Sequence, residues 1–420
     1  MRHVAITGIA AITPAGVGSD ALWTQALSGT SCTRTIDRFD ASRYQCCIAG
    51  QADAFDAEQM LSPRVIKRSD RFTHMALAAV SMALQDAGVS IGTAQGEVEP
   101  ERVSVMVGNM LGGWEFAERE LRKLWVSGVR EVSPYQATAW FPAAPQGNIC
   151  ISFGIKGRAR TFVADRASGA YAFVHGAEVI RRGQADIVIA GGSEAPLSPY
   201  GWLCCQASDY LAQGGRYTPE TTYRPFDRGH GGTVAAEGSA FLILEELDHA
   251  LSRGASIYGL VSGWALGSDG YMPCYTVEPK GQILARTMRK SMHQAAVQPD
   301  EIDVIFASGS AIPVEDMTEV YAIQSAFGPT SREVPVTAPK AAIGHMLGAA
   351  TPADILLALQ TLSHRQIPPT ANLDQPAPGF NLNFVREAPL PLERARHCMI
   401  VSRGLGGVNA CMIISAPPAA

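Results

Sequence analysis

The fold is decided by the stretch Thr161-Phe162-Val163-Ala164-Asp165-Arg166-Ala167-Ser168-Gly169-Ala170-Tyr171. Residues Thr161 to Ala164 predict a short apolar strand, and the small residues after them predict a helix that runs to about Gly183. A strand that turns sharply into such a helix has the layout of a nucleophile elbow. The tip residue is Arg166, which stays protonated and cannot attack a carbonyl. Either the elbow interpretation is wrong or an enzyme-shaped protein has lost its nucleophile.

Composition excludes several other classes of protein. The chain has 420 residues, of which 47% are hydrophobic and 17% charged, which is typical of a large buried core. A formal net charge of −5 gives no sign of a nucleic-acid partner. No apolar run approaches the roughly 18 to 20 residues of a membrane-spanning helix. The nine cysteines contain no CxxC pair, so we expect no zinc or other metal site, no disulfide framework and a reducing cytoplasm.

The order of predicted strands repeats along the chain. In the first half the strands are residues 102–108, 161–164, 186–192 and 238–245, and in the second half they are 302–307, 334–337, 397–402 and 409–414. A helix over about 351–363 follows the second half's turn as the elbow helix follows the first. This repetition predicts a duplication with two stacked α/β halves, 1–255 and 256–420, with a long insertion at 110–150. Two independent Rossmann-like domains are the weaker alternative, because no GxGxxG follows a first strand.

Several loops together carry a family resemblance over essentially the whole chain. They are Ile6-Thr7-Gly8-Ile9, Gly191-Gly192-Ser193-Glu194, Arg224-Pro225-Phe226-Asp227 with Glu237-Gly238, Lys340 to Ala350, and Gly406-Gly407-Val408-Asn409. In this order they resemble the β-ketoacyl-acyl-carrier-protein synthases of the thiolase-fold superfamily. The resemblance implies an α/β thiolase-like fold whose two halves stack in five layers, α-β-α-β-α.

The resemblance also implies a degenerate active site. In active members of the family a cysteine at the elbow takes the acyl group, two histidines assist, and a lysine supports them. Matched by position, Arg166 stands for the cysteine and Ser308 for the first histidine. His345 keeps the second histidine and Lys340 the lysine, whereas Leu405 replaces a phenylalanine of the last Gly-rich loop.

A closer resemblance is to the chain length factors, or ketosynthase β subunits, of bacterial type II polyketide synthases. It rests on residues 112–116, 122–125, 139–141 and 163–169. It implies a non-condensing subunit, without a cofactor of its own, that forms a heterodimer with an active ketosynthase α subunit. The substrates of that partner are carried on phosphopantetheinyl acyl carrier protein. Typical members have glutamine at the elbow, so Arg166 departs even from them and puts any decarboxylating role of that residue in doubt.

The insertion carries the residues that we expect to set chain length. Trp114, Ala117 and Leu121 share one helical face at i, i+3 and i+7. By resemblance, these positions line the far end of a tunnel shared with the partner, and bulk there stops the growing chain. Trp140, Phe141 and Pro142 are the expected dimer interface. An ordinary hydrophobic dimer seam is the simpler interpretation, and both can hold.

Two other functions stay open at this point. One is an autonomous malonyl-carrier decarboxylase or condensing enzyme that uses His345 with an unconventional nucleophile, and the other is a non-catalytic homodimeric scaffold. For His345 the simpler interpretation is a satisfied buried histidine, and Ser168 is expected to serve packing.

We expect carboxylate partners for Arg166 and Lys340. A cation at a helix N-terminus is unfavourable by a few tenths to about 1 kcal/mol, so Arg166 should have a partner. The candidates are Asp165 and Glu237 for Arg166, and Glu315 or Glu319 for Lys340.

Overall fold

The computed structural model describes residues 2–271 and 276–417. The strands are β1 (Val4–Thr13), β2 (Gly16–Val17), β3 (Arg34–Thr35), β4 (Ile48–Ala49), β5 (Val103–Gly108), β6 (Ala159–Phe162), β7 (Ile187–Glu194), β8 (Gly238–Glu246), β9 (Gly259–Ser268), β10 (Val304–Phe306), β11 (Pro335–Thr337), β12 (Gln366–Ile367), β13 (Asn383–Phe384), β14 (Leu390–Pro391), β15 (His397–Gly404) and β16 (Val408–Ser415). The α-helices are α1 (Ser19–Leu27), α2 (Ala57–Met60), α3 (Pro63–Arg68), α4 (Arg71–Asp86), α5 (Trp114–Ser127), α6 (Gln136–Ala139), α7 (Ala144–Phe153), α8 (Ser168–Arg181), α9 (Pro199–Ala207), α10 (Leu247–Ser252), α11 (Gln282–Ala295), α12 (Pro313–Phe327) and α13 (Ala350–His364).

The two halves have the same sheet topology. In the first half the spatial order is β6-β5-β7-β8-β1, and in the second it is β11-β10-β15-β16-β9, with β13 added beside β11. In both halves the first three strands of this order pair in parallel and the last two join antiparallel. A short antiparallel pairing of β1 with β9 joins the two halves. The repeated order confirms the predicted duplication.

Helices and sheets alternate in five layers. On the outside of the first half, α4 packs on β1, β7 and β8 while α7 packs on β5. On the outside of the second half, α11 packs on β9 and β16 and contacts α12. Between the two sheets lie α8 and α13, which contact each other and strands of both halves. Because α13 is covered on every side, nearly all of it is buried, from Ala350 to Leu362. This arrangement confirms the thiolase-like α-β-α-β-α fold.

The small residues of the middle layer allow close packing at the elbow. A Cβ on Gly169, in the first turn of α8, would lie 2.4 Å from the carbonyl oxygen of Gly348. Gly108, at the end of β5, approaches the start of α8 so closely that a Cβ would lie 2.3 Å from the Gly169 nitrogen. The elbow of the first half and the turn before α13 therefore meet at the centre of the molecule. The division of the chain between residues 255 and 256 stays a prediction.

Candidate functional site

The elbow begins earlier than the sequence predicts. Strand β6 ends at Phe162, not at Ala164, because the Ala164 amide leaves the sheet and donates to the Ser168 hydroxyl at 2.9 Å. That hydroxyl in turn donates to the Asp165 carbonyl at 2.5 Å. Asp165 has a φ of 52°, in the left-handed region that few residues other than glycine adopt. Ser168 therefore holds the turn, in agreement with the packing role expected for it.

Arg166 at the tip of the elbow is fully engaged by carboxylates. Its side chain is only 2% exposed. The two terminal nitrogens donate to both oxygens of Glu315, at 3.0 and 2.7 Å, and Nε donates to Asp165 at 3.2 Å. This bidentate geometry matches the planar guanidinium fork to a carboxylate. Since Glu315 lies in α12, the ion pair links the elbow of one half to a helix of the other.

The ion pair keeps both groups charged despite their burial. Burial alone lowers the pKa of the Arg166 guanidinium, but the charges of Glu315 and Asp165 outweigh it and hold that pKa above its ordinary value. Burial alone raises the pKa of Glu315, and the Arg166 charge reverses this and holds the pKa below its ordinary range. Asp165 was an expected partner and is confirmed as a contact. The prediction of Glu237 as a partner of Arg166 was wrong, because Arg38 and Arg71 already bind its carboxylate.

The last Gly-rich loop, residues 403–409, also contacts the Arg166–Glu315–Asp165 cluster. The Leu405 amide donates to Asp165 at 2.7 Å, so the residue that replaces the family's phenylalanine closes on the elbow through its backbone. Arg403 donates to the Glu315 carbonyl at 3.3 Å and lies 3.7 Å from Asp269. Buried cations and carboxylates therefore alternate around the centre.

Lys340 is held by groups other than those expected. Its ammonium lies 2.9 Å from Asp354 and donates to the Ala307 carbonyl at 2.6 Å. The predicted partners Glu315 and Glu319 were wrong, because Arg166 takes the first and backbone amides take the second. Burial raises the pKa of Asp354 to about 6, against the opposing charge of Lys340. The lysine ties α13 to the end of β10.

Ser308 occupies a rigid loop beside these groups. The side chain is 5% exposed, and its amide and that of Gly309 donate to the two oxygens of Glu319 at 2.7 and 3.0 Å. Burial raises the pKa of Glu319 to about 7. Ser308 is the residue after Ala307, whose carbonyl binds Lys340, so these two positions of the degenerate site are brought together.

His345 is buried and neutral. It is 2% exposed, and its Nδ1 accepts a hydrogen bond from the Leu347 amide at 3.0 Å. Burial, followed by the positive charges of Lys340 and Arg166, holds the pKa of His345 well below its ordinary value. The two cations therefore lie near enough to act on this imidazole. A neutral imidazole can act as a base, but this side chain is buried in the protein.

The predicted tunnel residues lie on α5. Trp114 is half-buried and packs edge to face on Tyr200, with ring centroids 5.1 Å apart. Ala117 is buried, whereas Leu121 is 38% exposed. Of the three side chains, only that of Ala117 is in the interior, while Trp114 lies at its margin and Leu121 reaches the surface. Their role in setting chain length stays a prediction.

The predicted interface residues lie on an exposed apolar surface. Trp140 is 38% and Phe141 52% exposed, and Pro142 is half-buried beside them. The sequence did not single out Ile151 in α7 and Val163 after β6, which are 84% and 62% exposed. The sequence carried no signal for either residue, because only the three-dimensional pairing shows that β6 ends the sheet. A groove of about 660 Å³ runs between α3 and the α6–α7 region and includes Phe141 and Ile151.

Within residues 2–271 and 276–417, no group of three or more histidine, cysteine or acidic side chains could hold a metal ion. Cys274 lies outside the described residues. None of the helices over the described ranges is long and apolar enough to cross a membrane.

Comparisons with known proteins place this geometry in a family. The β-ketoacyl synthase N-terminal domain model matches residues 1–250, and the C-terminal domain model matches residues 258–374. The ketoacyl synthase beta subunit of the tetracenomycin polyketide synthase of Streptomyces glaucescens is 35% identical over 98% of this chain and 98% of its own length. A Streptomyces halstedii protein named polyketide β-ketoacyl synthase 2 is 37% identical over 98% of this chain and 97% of its own. The 3-oxoacyl-[acyl-carrier-protein] synthase 2 of Coxiella burnetii is 31% identical over 99% and 98%.

Solved structures agree with these relatives. The ishigamide ketosynthase/chain length factor superposes with a TM-score of 0.88 at 27% identity, over 99% of both chains. A β-ketoacyl synthase from Burkholderia phymatum STM815 gives 0.89 at 25% identity, over 99% of this chain and 100% of that one. Since the family models and the relatives match the chain nearly from end to end, it belongs to the β-ketoacyl synthase family, in the branch of the ketosynthase β subunits, or chain length factors, of polyketide synthases.

Proposed function

We propose that this chain is the non-condensing subunit of a heterodimer with an active ketosynthase, and that it sets polyketide length by shaping a tunnel shared with that partner. The observation that carries the proposal is Arg166. An arginine at the elbow has no electron pair with which to take an acyl group. Its bidentate pairing with Glu315 fills the position where an acyl thioester would form.

The rest of the degenerate site supports the same conclusion. Ser308 cannot act as the imidazole that the family uses there, and His345 is enclosed with its Nδ1 engaged by the Leu347 amide. A general base must reach the proton that it removes, and His345 is 2% exposed behind a closed elbow. These contacts weigh against the autonomous decarboxylase or condensing enzyme.

The chemistry is then supplied by the partner. Under this proposal the ketosynthase α subunit contributes the cysteine and both histidines, and it works on acyl and malonyl groups carried on acyl carrier protein. The relative from Coxiella burnetii bears that carrier in its name. We place the complex in the cytoplasm, in keeping with nine cysteines that are scattered without a framework.

The open edge of the sheet is the proposed interface. Strand β6 pairs with β5 on one side and ends the sheet order on the other. An unpaired strand edge is a template for another chain. Exposed apolar side chains flank it at Phe141, Ile151 and Val163, and Trp140 adjoins them. A second subunit that pairs there would bury these side chains together, which favours an obligate partner over a free-standing scaffold.

The α5 helix is the proposed gate. Trp114 has the largest side chain on the predicted face and is fixed by its edge-to-face contact with Tyr200. Ala117, one turn further along, is small and buried. At this position the tunnel would therefore be wider than at the indole of Trp114, which would block it. The length of the chain that fits is then decided by one aromatic ring.

Product length in the reconstituted heterodimer tests the proposal. Replacing Trp114→Ala should release space at the end of the tunnel and shift the product to longer polyketides, read by mass spectrometry. Trp125→Ala is the matched control, because it deletes the same ring from the same helix at a position that is 81% exposed. Leu121→Ala should lengthen the product less. Identical products from the wild type and Trp114→Ala would refute the gate.

A further inference from the structure

A cationic cluster covers one face of the open sheet edge. Arg158 lies just before β6 and Arg160 lies within it. Because every second residue of a strand points to the same side, both share the face of Phe162. The Phe162 ring stacks on His175 of α8, with the ring centroids 4.7 Å apart. This face borders a cavity of about 210 Å³, which is also lined by Arg182 of α8. Three arginines therefore gather where the sheet is unpaired.

The cluster has too few carboxylates within this chain. Among the described residues that line the cavity, Glu178 alone is acidic, and it lies 3.5 Å from Arg182 and 3.3 Å from His175. Arg158 donates to the neutral amide oxygen of Gln184 at 2.8 Å. Within residues 2–271 and 276–417, Arg160 has no acidic group within 4.0 Å. The exposed Arg160 side chain is thus a charge without a counter-charge on the strand that ends the sheet.

Pairing of this edge with a second copy of the chain would oppose like charges. In an antiparallel pair related by a two-fold axis, residues opposite each other have position numbers with a constant sum. A two-fold at residue 160 sets Arg160 directly against its copy. A two-fold at residue 161 sets Arg160 opposite Phe162 and leaves the two arginines on a diagonal, roughly 7 to 8 Å apart. That distance is within the Debye length of about 8 Å at physiological ionic strength, so the repulsion is felt.

We propose that this cationic edge selects an unlike partner. It would reject a second copy of the chain and accept a ketosynthase whose facing edge presents carboxylates to Arg160 and Arg158. Flanking apolar contacts at Val163 and Ile151 would supply attraction for either partner, and the charges would supply the discrimination. This inference rests on the proposed heterodimer and adds what decides its composition.

The test is the dissociation constant of the heterodimer, measured by analytical ultracentrifugation. Arg160→Glu should weaken binding to the ketosynthase by about tenfold or more at low salt, and by less at high salt, where the charges are screened. Arg160→Gln removes the charge without reversing it and should weaken binding by a few-fold. It keeps the test informative if Arg160→Glu folds poorly. Arg286→Glu, the same substitution on the outer helix α11, is the matched control and should change nothing.

A mixing experiment examines the rejection of the second copy. Wild-type chain alone should not dimerise through this edge, whereas an equal mixture of wild-type and Arg160→Glu chains should form a mixed dimer. Dissociation constants of both Arg160 variants within twofold of the wild type would overturn the inference, as would an equal loss in Arg286→Glu. A wild-type chain that does not bind the ketosynthase at all would contradict the proposed function itself.

Discussion

The elbow and the sheet edge are only a few residues apart in the chain, yet they are built in opposite ways. At the elbow, Arg166 is buried and every charge has a partner, with Glu315 bound through both oxygens. At the edge, Arg160 is exposed without a counter-charge, and Val163 is an apolar side chain left in solvent. The charged groups of the elbow are satisfied within the chain, whereas the side chains at the sheet edge are left for contacts with another subunit.

That contrast explains how the elbow keeps its shape with an arginine at its tip. The elbow links the two halves through the Arg166–Glu315 pair, so its shape is needed for the fold after the nucleophile is gone. Function then depends on surfaces that a second subunit can cover.

The largest effect is expected from Glu315→Ala. It leaves the buried guanidinium without its main counter-charge, which costs about 3 to 5 kcal/mol in the free energy of unfolding. Urea unfolding of the heterodimer measures it. The combined change Arg166→Met with Glu315→Leu should recover most of the loss. Glu101→Ala, which removes an exposed pair with Lys156, should cost less than about 1 kcal/mol. Equal losses of stability in Glu315→Ala and Glu101→Ala would contradict the proposed difference between the buried ion pair and an exposed one.

Acid should destabilise the centre through His345. Its pKa is depressed in the folded protein, so below pH 6.5 the unfolded chain binds a proton that the folded one does not. The free energy of unfolding therefore falls as the pH drops below about 6.5, by at most about 1.4 kcal/mol per pH unit. Between pH 7 and pH 5, the stability difference between the wild type and His345→Asn should shift in favour of the variant, by up to about 2 kcal/mol.

Removal of an exposed histidine provides the comparison for that pH series. His3 lies on the surface, so His3→Asn is the matched histidine-to-asparagine control. Parallel unfolding curves for the wild type and His345→Asn at both pH values would show that the imidazole is not protected from protons.

A smaller loss is expected from Ser168→Ala. The hydroxyl accepts from Ala164 and donates to Asp165, and its removal leaves the Ala164 amide without this acceptor. Loss of the acceptor costs a fully buried donor about 1 to 3 kcal/mol, and because the Ala164 amide is only partly buried we expect about 1 kcal/mol. The midpoint of thermal unfolding reports the loss. Ser252→Ala, on an exposed helix end, should change the free energy of unfolding by less than about 0.5 kcal/mol. An equal loss of stability in both variants would show that Ser168 does not hold the elbow turn.

The smallest effect on stability is expected from Trp125→Ala. The ring is 81% exposed, so its removal should change the free energy of unfolding by less than about 0.5 kcal/mol. Trp202→Ala removes a fully buried ring whose Nε1 donates to the Cys46 carbonyl at 2.8 Å, and should cost about 3 to 5 kcal/mol. A costly Trp125→Ala would mean that this end of α5 is already covered in the subunit.

Periodicity and motif order predicted the duplicated fold, because buried strands such as β5 and β7 are mostly apolar and are separated by clear turn signals. The elbow was also predictable, although β6 ends two residues early. Its end depends on the Ser168 hydroxyl drawing Ala164 out of the sheet, and no pattern of hydrophobicity encodes that bond.

The ion pairs of the site were less predictable. The need of Arg166 for a carboxylate follows from charge burial alone, but the choice among Asp165, Glu237 and Glu315 depends on which loops meet in space. Asp165 is adjacent in sequence and was foreseen. Glu315 comes from the other half, so only the stacking of the halves reveals it, and the same holds for the pairing of Lys340 with Asp354.

The most direct test of the central claim is the intact mass of each subunit after the heterodimer has been incubated with acyl-loaded carrier protein. The chain has a closed centre with Arg166 in place of a nucleophile, so the acyl group should appear on the ketosynthase partner alone. An acyl adduct on this chain would contradict the account, because it would reveal a working nucleophile where the structure holds an ion pair.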